Sequence, residues 1–252
     1  MALSERELGI VQLGIDALTR TIAELGLTLV IEQDFSGLAA LLESRGSFVN
    51  PSYDPRKSRL GWRDFWVHLL DPSGRSVGCS AEKVIETEDI LDDLATGRIF
   101  YEGGYAAQGG PARIDVIPVS QRIGGLLSHS GSTWVDPARR GQGLAMLMTR
   151  LSRALSFRNH GVVANTGFVR ESLYRTPVPV ESYGYTHVEK CLDGFWPPQG
   201  TPEILYLCWI TDREFVASVE ALPHHPRHPV PLAPAAREPA RAAAPALAAA
   251  RA

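Results

Sequence analysis

The chain has 252 residues, of which 44% are hydrophobic, and a formal net charge of −3, which fits one domain with appendages. With this charge and without a long run of Lys or Arg, the sequence does not favour a nucleic-acid-binding surface. Three widely spaced cysteines, Cys79, Cys191 and Cys208, argue against a disulfide framework and a zinc site. Because neither a secretory signal pattern nor an apolar run of about 18 residues is present, we expect a cytoplasmic protein that does not enter membranes.

Residues 1–26 are predicted to form an amino-terminal amphipathic helix. Ser4 and Glu7 have the spacing of a capping box, and apolar residues recur at steps of three and four as far as Gly26. A narrow apolar seam of this kind suits packing on the chain's own domain, and it also suits a homodimer in which the helix meets its copy. The sequence leaves both arrangements open.

Residues 27–222 are predicted to form the main domain, an α/β unit with a mixed sheet. Runs of β-branched and aromatic residues indicate strands, and apolar residues at helical spacing indicate helices. The strands are predicted at 27–33, 62–70, 76–86, 123–135, 162–167, 185–192 and 203–210. The helices are predicted at 36–45, 88–96, 144–160, 171–175 and 211–221.

Three stretches lack such patterns. The loop at 47–61 is rich in Pro, Ser, Asp, Arg and Lys, and the excursion at 98–122 contains paired glycines, so both are candidates for a substrate site or for mobility. Residues 223–252 consist almost entirely of Pro, Ala, Arg and His, which predicts a disordered tail. The histidines of that tail are a weak metal-binding signal, and no metal is predicted.

The strand at 123–135 and the helix at 144–160 enclose the most informative segment. If no bulge shifts its register, one face of the strand carries Leu127, His129, Gly131, Thr133 and Val135. Asp136-Pro137 then ends the strand, because proline fixes φ and cannot donate to a neighbouring strand. On the helix, polar residues that include Arg150 and Arg153 lie between the apolar positions.

The residues between that strand and helix have the composition of an anion site. Small residues in Arg139-Arg140-Gly141-Gln142-Gly143-Leu144-Ala145 leave backbone N–H groups uncovered at the positive end of a helix, and Arg140 adds a charge suited to a phosphate. Leu144-Ala145 does not fit the Gly-Lys-Ser/Thr of a Walker loop. Met146 does not fit the third small residue of the dinucleotide fingerprint.

This stretch resembles the signature of the GNAT superfamily of acyl-CoA-dependent N-acyltransferases. The family pattern Arg/Gln-x-x-Gly-x-Gly/Ala is matched by Arg140, Gly143 and Ala145, and the preceding Val-x-Pro-x-x-Arg by Val135, Pro137 and Arg140. The resemblance implies a mostly antiparallel twisted sheet flanked by helices, with acetyl-CoA as the acyl donor. By position it places Trp134 and Val135 at the pantetheine arm, and at the pyrophosphate it places Arg140, Gly141, Gln142, Gly143, Leu144 and Ala145.

The resemblance also implies roles after the fifth strand. Asn165 corresponds to an asparagine that contacts the pantetheine, and Tyr174 to a tyrosine that protonates the departing sulfur. Here the chain departs from the family pattern, because residues 176–180 separate Tyr174 from the expected Gly184-Tyr185 pair. Tyr183 therefore competes for the acid role.

Transfer to an amine also needs a group that accepts the ammonium proton near pH 7. Family members often use a glutamate on or near the fourth strand, and the strand at 123–135 contains no carboxylate. His129, with an ordinary pKa of about 6.5, is one candidate base, and Glu82 and Glu86 on the neighbouring strand are the alternatives.

From the resemblance we expect an N-acetyltransferase that acts on a primary amine of a small molecule or a protein. The alternatives are a catalytically degenerate module that binds an acyl-CoA or acts through its amino-terminal helix, and a transferase that uses a longer acyl-CoA. In the loop at 47–61, Tyr53, Arg56 and Lys57 are candidates for acceptor contacts, and a solvated loop is the other reading.

Overall fold

The computed structural model describes residues 2–221, so the predicted tail at 223–252 lies outside the described residues. The strands are β1 (Thr28–Glu32), β2 (Phe65–Leu70), β3 (Ser76–Thr87), β4 (Gly125–Val135), β5 (Ala164–Arg170), β6 (His187–Trp196) and β7 (Thr201–Thr211). The helices are α1 (Glu5–Glu24), α2 (Phe35–Ser44), α3 (Ile90–Thr96), α4 (Gly104–Ala107), α5 (Leu144–His160), α6 (Glu171–Tyr174) and α7 (Asp212–Glu220).

These strands form one seven-stranded sheet in the order β1-β2-β3-β4-β5-β7-β6. The β4–β5 pair is parallel, and the other pairs are antiparallel. The predicted mixed, mostly antiparallel sheet flanked by helices is therefore confirmed. No helix among residues 2–221 is both long enough and apolar enough to span a bilayer.

The amino-terminal helix α1 belongs to the core of the sheet. Its capping box between Ser4 and Glu7 is present, and Val11, Ile15 and Ile22 are buried in the same cluster as residues of α5 and α7. Each such side chain stabilises the docked helix by about 1.5–3 kcal/mol relative to an exposed position. Most of the apolar seam is thus covered within the chain, whereas Leu25 at its end is exposed.

Helices cover both faces of the sheet. The α5 face, covered by α1, α5 and α7, holds the largest apolar cluster. The opposite face is covered by α2, α3, the turn Pro51–Tyr53 and the excursion that precedes β4. On β4, Ser130 points toward α5, where its partner Glu82 also contacts Ser152, while His129 points to the opposite face.

The alternation described for a β4 without a bulge ends at Gly131. A bulge at Ser132, where φ is +49°, places two residues of β4 opposite Ser80 and reverses the faces that follow. Thr133 consequently bonds Ser80 on the α5 face at 3.0 Å. Trp134 lies on the opposite face, where its ring meets the guanidinium of Arg45 at 5.4 Å.

Two further differences from the sequence prediction lie near the carboxyl end of the described chain. Strand β6 extends to Trp196 rather than ending at residue 192, and a π-helical turn at Val178–Ser182 was not predicted. Two bonds from Arg150 hold this proline-containing turn, because its guanidinium donates to the carbonyls of Glu181 and Ser182, each at 2.8 Å. The turn depends on this tertiary contact, which local sequence does not encode.

Candidate active site

Strands β4 and β5 separate toward their carboxyl ends. Their parallel pairing runs from Leu127 opposite Ala164 to Ser130 opposite Gly167 and then stops. Beyond this point β5 continues along β7 as far as Arg170, while residues 131–135 of β4 pair with β3 alone. The result is a wedge between the two strands, here called the β4/β5 gap. The β4 edge along it is half-buried, and its backbone N–H and C=O groups need water or the amides of an extended ligand as hydrogen-bond partners.

The amino terminus of α5 lies directly beyond the end of β4. Gly143 caps this helix in the left-handed conformation at φ +76° and provides no side-chain bond to the first turn. The first N–H groups of a helix lack intrahelical partners and carry the positive end of its dipole. Arg140 beside them is exposed and makes no ion pair within residues 2–221, so this end of α5 suits an anion.

The turn between β4 and α5 is held by Asp136. Its side chain accepts from the backbone N–H of Ala138 at 2.9 Å and pairs with Arg75 at 3.2 Å, while its own N–H donates to the carbonyl of Val77. These bonds fix the amino terminus of α5 immediately after the β4/β5 gap. Leu144 is buried in the core, so this predicted site residue can contribute its backbone and not its side chain.

A buried polar group, the Glu82 cluster, lies on the α5 face where the gap begins. It consists of Glu82, Ser130, Ser152, Arg153 and Asn165, which are all at least nine-tenths buried. Glu82 Oε1 accepts from Ser130 at 2.5 Å and from Ser152 at 2.8 Å, and Oε2 accepts from Asn165 at 3.1 Å. Arg153 donates through Nε to Asn165 at 2.8 Å, so the cation is connected to the carboxylate through the asparagine.

Burial raises the pKa of Glu82 from 4.5 to about 7, against the hydrogen bonds and the positive charge of Arg153, which lower it. A carboxyl group at this pKa exchanges a proton near neutral pH, as a general base must. The guanidinium of Arg153 also lies 4.3 Å from the ring of Tyr185 and donates to the carbonyl of Tyr183 at 2.8 Å. The cluster therefore ties α5 to the segment that follows α6.

His129 lies on the opposite face, away from that cluster. Its Nδ1 is hydrogen-bonded to Thr166 at 2.9 Å, and its carbonyl accepts from the hydroxyl of Tyr53 at 2.8 Å. Burial, followed by the charge of Lys83, lowers the pKa of His129 to about 3. The imidazole is therefore neutral at pH 7 and is a weak proton acceptor.

The other predicted side chains are dispersed. Tyr174 is 43% exposed and stacks on Tyr206 of β7 with 3.6 Å between ring centroids, and β7 borders β5 on the side away from β4. The pKa of Tyr183 is raised by burial. Asn165 directs its amide into the Glu82 cluster. Glu86 is exposed and lies opposite Leu126, away from the gap.

Sequence reasoning did not identify Ser130, Ser152 and Arg153 as members of this site. Arg153 occupies a polar position of an amphipathic helix, yet its residue is 1% exposed. Within residues 2–221 no group of three His, Cys, Asp or Glu side chains could hold a metal ion, and the three cysteines are buried and unpaired.

Comparison with known proteins gives structural similarity alone. The sequence matches no family model and no curated protein. NAA60 from Arabidopsis thaliana in complex with acetyl-CoA is similar with a TM-score of 0.46 at 15% identity, over 73% of this chain and 98% of that chain. A dodecameric spermidine N-acetyltransferase from Vibrio cholerae is similar with a TM-score of 0.45 at 12% identity, over 75% and 96% of the two chains. Identities and TM-scores this low concern the fold alone.

Proposed function

We propose that this chain is an acyl-CoA-dependent N-acyltransferase that transfers acetyl from acetyl-CoA to a primary amine of a small molecule or a protein. One observation carries the proposal: the unpaired edge of β4 leads directly to the amino terminus of α5 and to Arg140. Coenzyme A consists of an amide-containing arm and a diphosphate. Each of these parts has a matching element on this path.

The binding roles follow from this match. The backbone of Trp134 and Val135 would pair with the amides of the pantetheine arm, since the ring of Trp134 is turned to the opposite face. The diphosphate would lie at the first turn of α5, where charge-assisted hydrogen bonds contribute about 1.5–3 kcal/mol each. The residues of that turn and its approach are Arg140, Gly141, Gln142, Gly143, Leu144 and Ala145.

In the reaction the amine nitrogen attacks the thioester carbonyl, a C–N bond forms and the C–S bond breaks. The nitrogen gives up a proton and the sulfur leaves with one, so the products are an amide and a free thiol. Backbone N–H groups of the β4 stretch near Val135, which does not pair with β5, would stabilise the negative charge on the carbonyl oxygen.

The candidate side chains for proton transfer differ in their pKa. A primary ammonium has a pKa of about 10, and Glu82 at about 7 is a better acceptor near neutral pH than His129 at about 3. Because Glu82 is fully buried, its proton would pass through the hydroxyl of Ser130, at the start of the gap. Tyr174 and Tyr183 are the two candidates for protonating the sulfur, and Asn165 would act by holding Glu82.

The proposal is tested by calorimetric titration of the full chain with acetyl-CoA, followed by measurement of thiol release with a panel of primary amines. Saturable binding with amine-dependent thiol release supports the transferase. Binding without thiol release across the panel indicates a module that has lost catalysis. The absence of binding at millimolar acetyl-CoA would contradict the proposal. Competition with longer acyl-CoAs shows which acyl group the protein prefers.

A further inference from the structure

Two aromatic side chains meet across the opposite face of the sheet. Phe48 follows α2, which packs on β2, and Trp196 ends β6 at the far edge of the sheet. Their ring centroids are 6.2 Å apart. Since β4 and β5 lie between β2 and β6 in the strand order, this pair, here called the aromatic roof, extends over the β4/β5 gap on the side away from α5.

Aromatic side chains also line both sides beneath this roof. On the β4 side, Tyr53 packs so closely on Gly131 that a Cβ there would lie 2.6 Å from its ring. On the β5 side, Phe168 lies 4.9 Å from His129 and 6.2 Å from Phe100. Phe100 in turn lies 5.9 Å from Trp196. Rings therefore border the gap on this face, and Phe168 among them is half-buried.

Two of the polar groups at this place are donors. The indole N–H of Trp196 is buried and has no acceptor within residues 2–221, and the guanidinium of Arg170 lies over the Trp196 ring at 5.6 Å. Two nearby carboxylates are already paired with arginine, Glu203 with Arg170 at 3.9 Å and Asp54 with Arg56 at 2.8 Å. This environment disfavours a polycation and favours a ligand with an apolar ring and a hydrogen-bond acceptor.

We propose that the acceptor is a primary amine on an aromatic skeleton without a second cationic group, and that its ring lies beneath the aromatic roof. This inference rests on the proposed transferase function. An acid group on the acceptor, where present, would lie at Arg170, whose guanidinium is suited to a carboxylate. Ring contacts of this kind change kcat/KM by roughly two- to twelvefold each.

The test measures thiol release from acetyl-CoA with 2-phenylethylamine, phenylalanine, hexylamine and spermidine. We expect kcat/KM for 2-phenylethylamine to exceed that for spermidine at least tenfold. Equal or faster reaction with spermidine or hexylamine overturns the inference, and so does a failure to acetylate any aromatic amine when acetyl-CoA binds. Loss of acetyl-CoA binding itself would instead count against the transferase function, so the two failures are distinguishable.

Two variants test the placement of the ring. Phe48 is 44% exposed, so Phe48→Ala is expected to fold, to raise the KM for 2-phenylethylamine about tenfold and to raise the KM for hexylamine less. Phe195→Ala is the matched control, because Phe195 is 54% exposed and neighbours Trp196 on the other side of the strand. Arg170→Gln is expected to reduce the rate with phenylalanine more than with 2-phenylethylamine. Equal losses for aromatic and aliphatic amines in Phe48→Ala would contradict the inference.

Discussion

The hydroxyl of Ser130 donates a hydrogen bond of 2.5 Å to Oε1 of Glu82. Glu82 is fully buried, and Ser130 is the last residue of β4 that pairs with β5. The two residues are 48 positions apart in the sequence, and the antiparallel register of β3 and β4 brings them together. One hydroxyl group therefore connects Glu82 to the β4 residue at which the β4/β5 gap begins.

Glu82→Gln is expected to flatten the pH dependence of the unfolding free energy. Burial raises the pKa of Glu82 in the folded chain from 4.5 to about 7. The stability contributed by its protonation is therefore fully present below pH 4.5 and is lost as the pH rises through about 7. The loss amounts to about 3 kcal/mol. Urea unfolding of both proteins over this pH range measures the difference between the two curves.

The control for that experiment is Glu86→Gln, which removes an exposed carboxylate from the same strand. Its unfolding free energy should follow that of the unaltered chain at every pH. If the unfolding free energy of Glu82→Gln also keeps the pH dependence of the unaltered chain, Glu82 is not the group whose pKa changes on folding.

Ser130→Ala is expected to lower kcat by about 10²–10⁴-fold while acetyl-CoA affinity stays within about threefold, because the change interrupts proton transfer and leaves the binding groups in place. The pH–rate profile, which should rise through about pH 7 with the titration of Glu82, should lose this inflection. Stopped-flow or steady-state thiol release, together with calorimetry, separates the two effects. An unchanged kcat would exclude the Ser130 route.

Much of the fold was predictable because its signals are local. The capping boxes of α1 and α7, the glycine after α5 and the turn between β2 and β3 each act within a few residues, and all are present. The helix start at Leu144 and the left-handed glycines before it have the same origin, since they are adjacent in sequence.

The Glu82 cluster could not be predicted, because its members come from β3, β4, β5 and α5. Arg153 illustrates the reason: its position on α5 has the polarity of a solvent-facing residue, whereas its guanidinium is buried against Asn165 and Tyr185. The bulge at Ser132 is likewise set by pairing with β3, and one inserted residue there reverses the side chains that follow.

Arg140→Ala is expected to weaken acetyl-CoA binding about tenfold, which corresponds to about 1.4 kcal/mol, through the loss of one charge-assisted contact to the diphosphate. The effect should shrink at high salt, because Arg140 is exposed. Arg158→Ala removes the same charge from the other end of α5, where the residue is also exposed, and should leave the affinity unchanged. Equal affinities in the two variants would place the diphosphate elsewhere.

Tyr174→Phe and Tyr183→Phe are expected to identify the group that protonates the sulfur. Replacing the tyrosine that donates the proton should reduce kcat about 10²-fold or more with little change in KM, because only the proton donor is removed. We expect this result for Tyr174, which is 43% exposed, and a small effect for Tyr183, which is half-buried and whose pKa is raised by burial. The reverse order of effects assigns the role to Tyr183, and two small effects assign it to solvent.

Gly131→Ala is expected to destabilise the chain by about 1–3 kcal/mol, as overpacking of a filled site does. A Cβ at this position would lie 2.6 Å from the ring of Tyr53 and 2.8 Å from its hydroxyl oxygen, and Tyr53 is fully buried, so it cannot turn aside. Displacing it also breaks its hydrogen bond to the carbonyl of His129.

Gly9→Ala is the matched control, because Gly9 lies within α1 with nothing within 4 Å of its Cβ position. That change should stabilise the chain by about 0.5–1 kcal/mol. Denaturant unfolding of both variants measures the two signs, and a Gly131→Ala variant as stable as the unaltered chain would show that Tyr53 does not pack against β4 at the start of the gap.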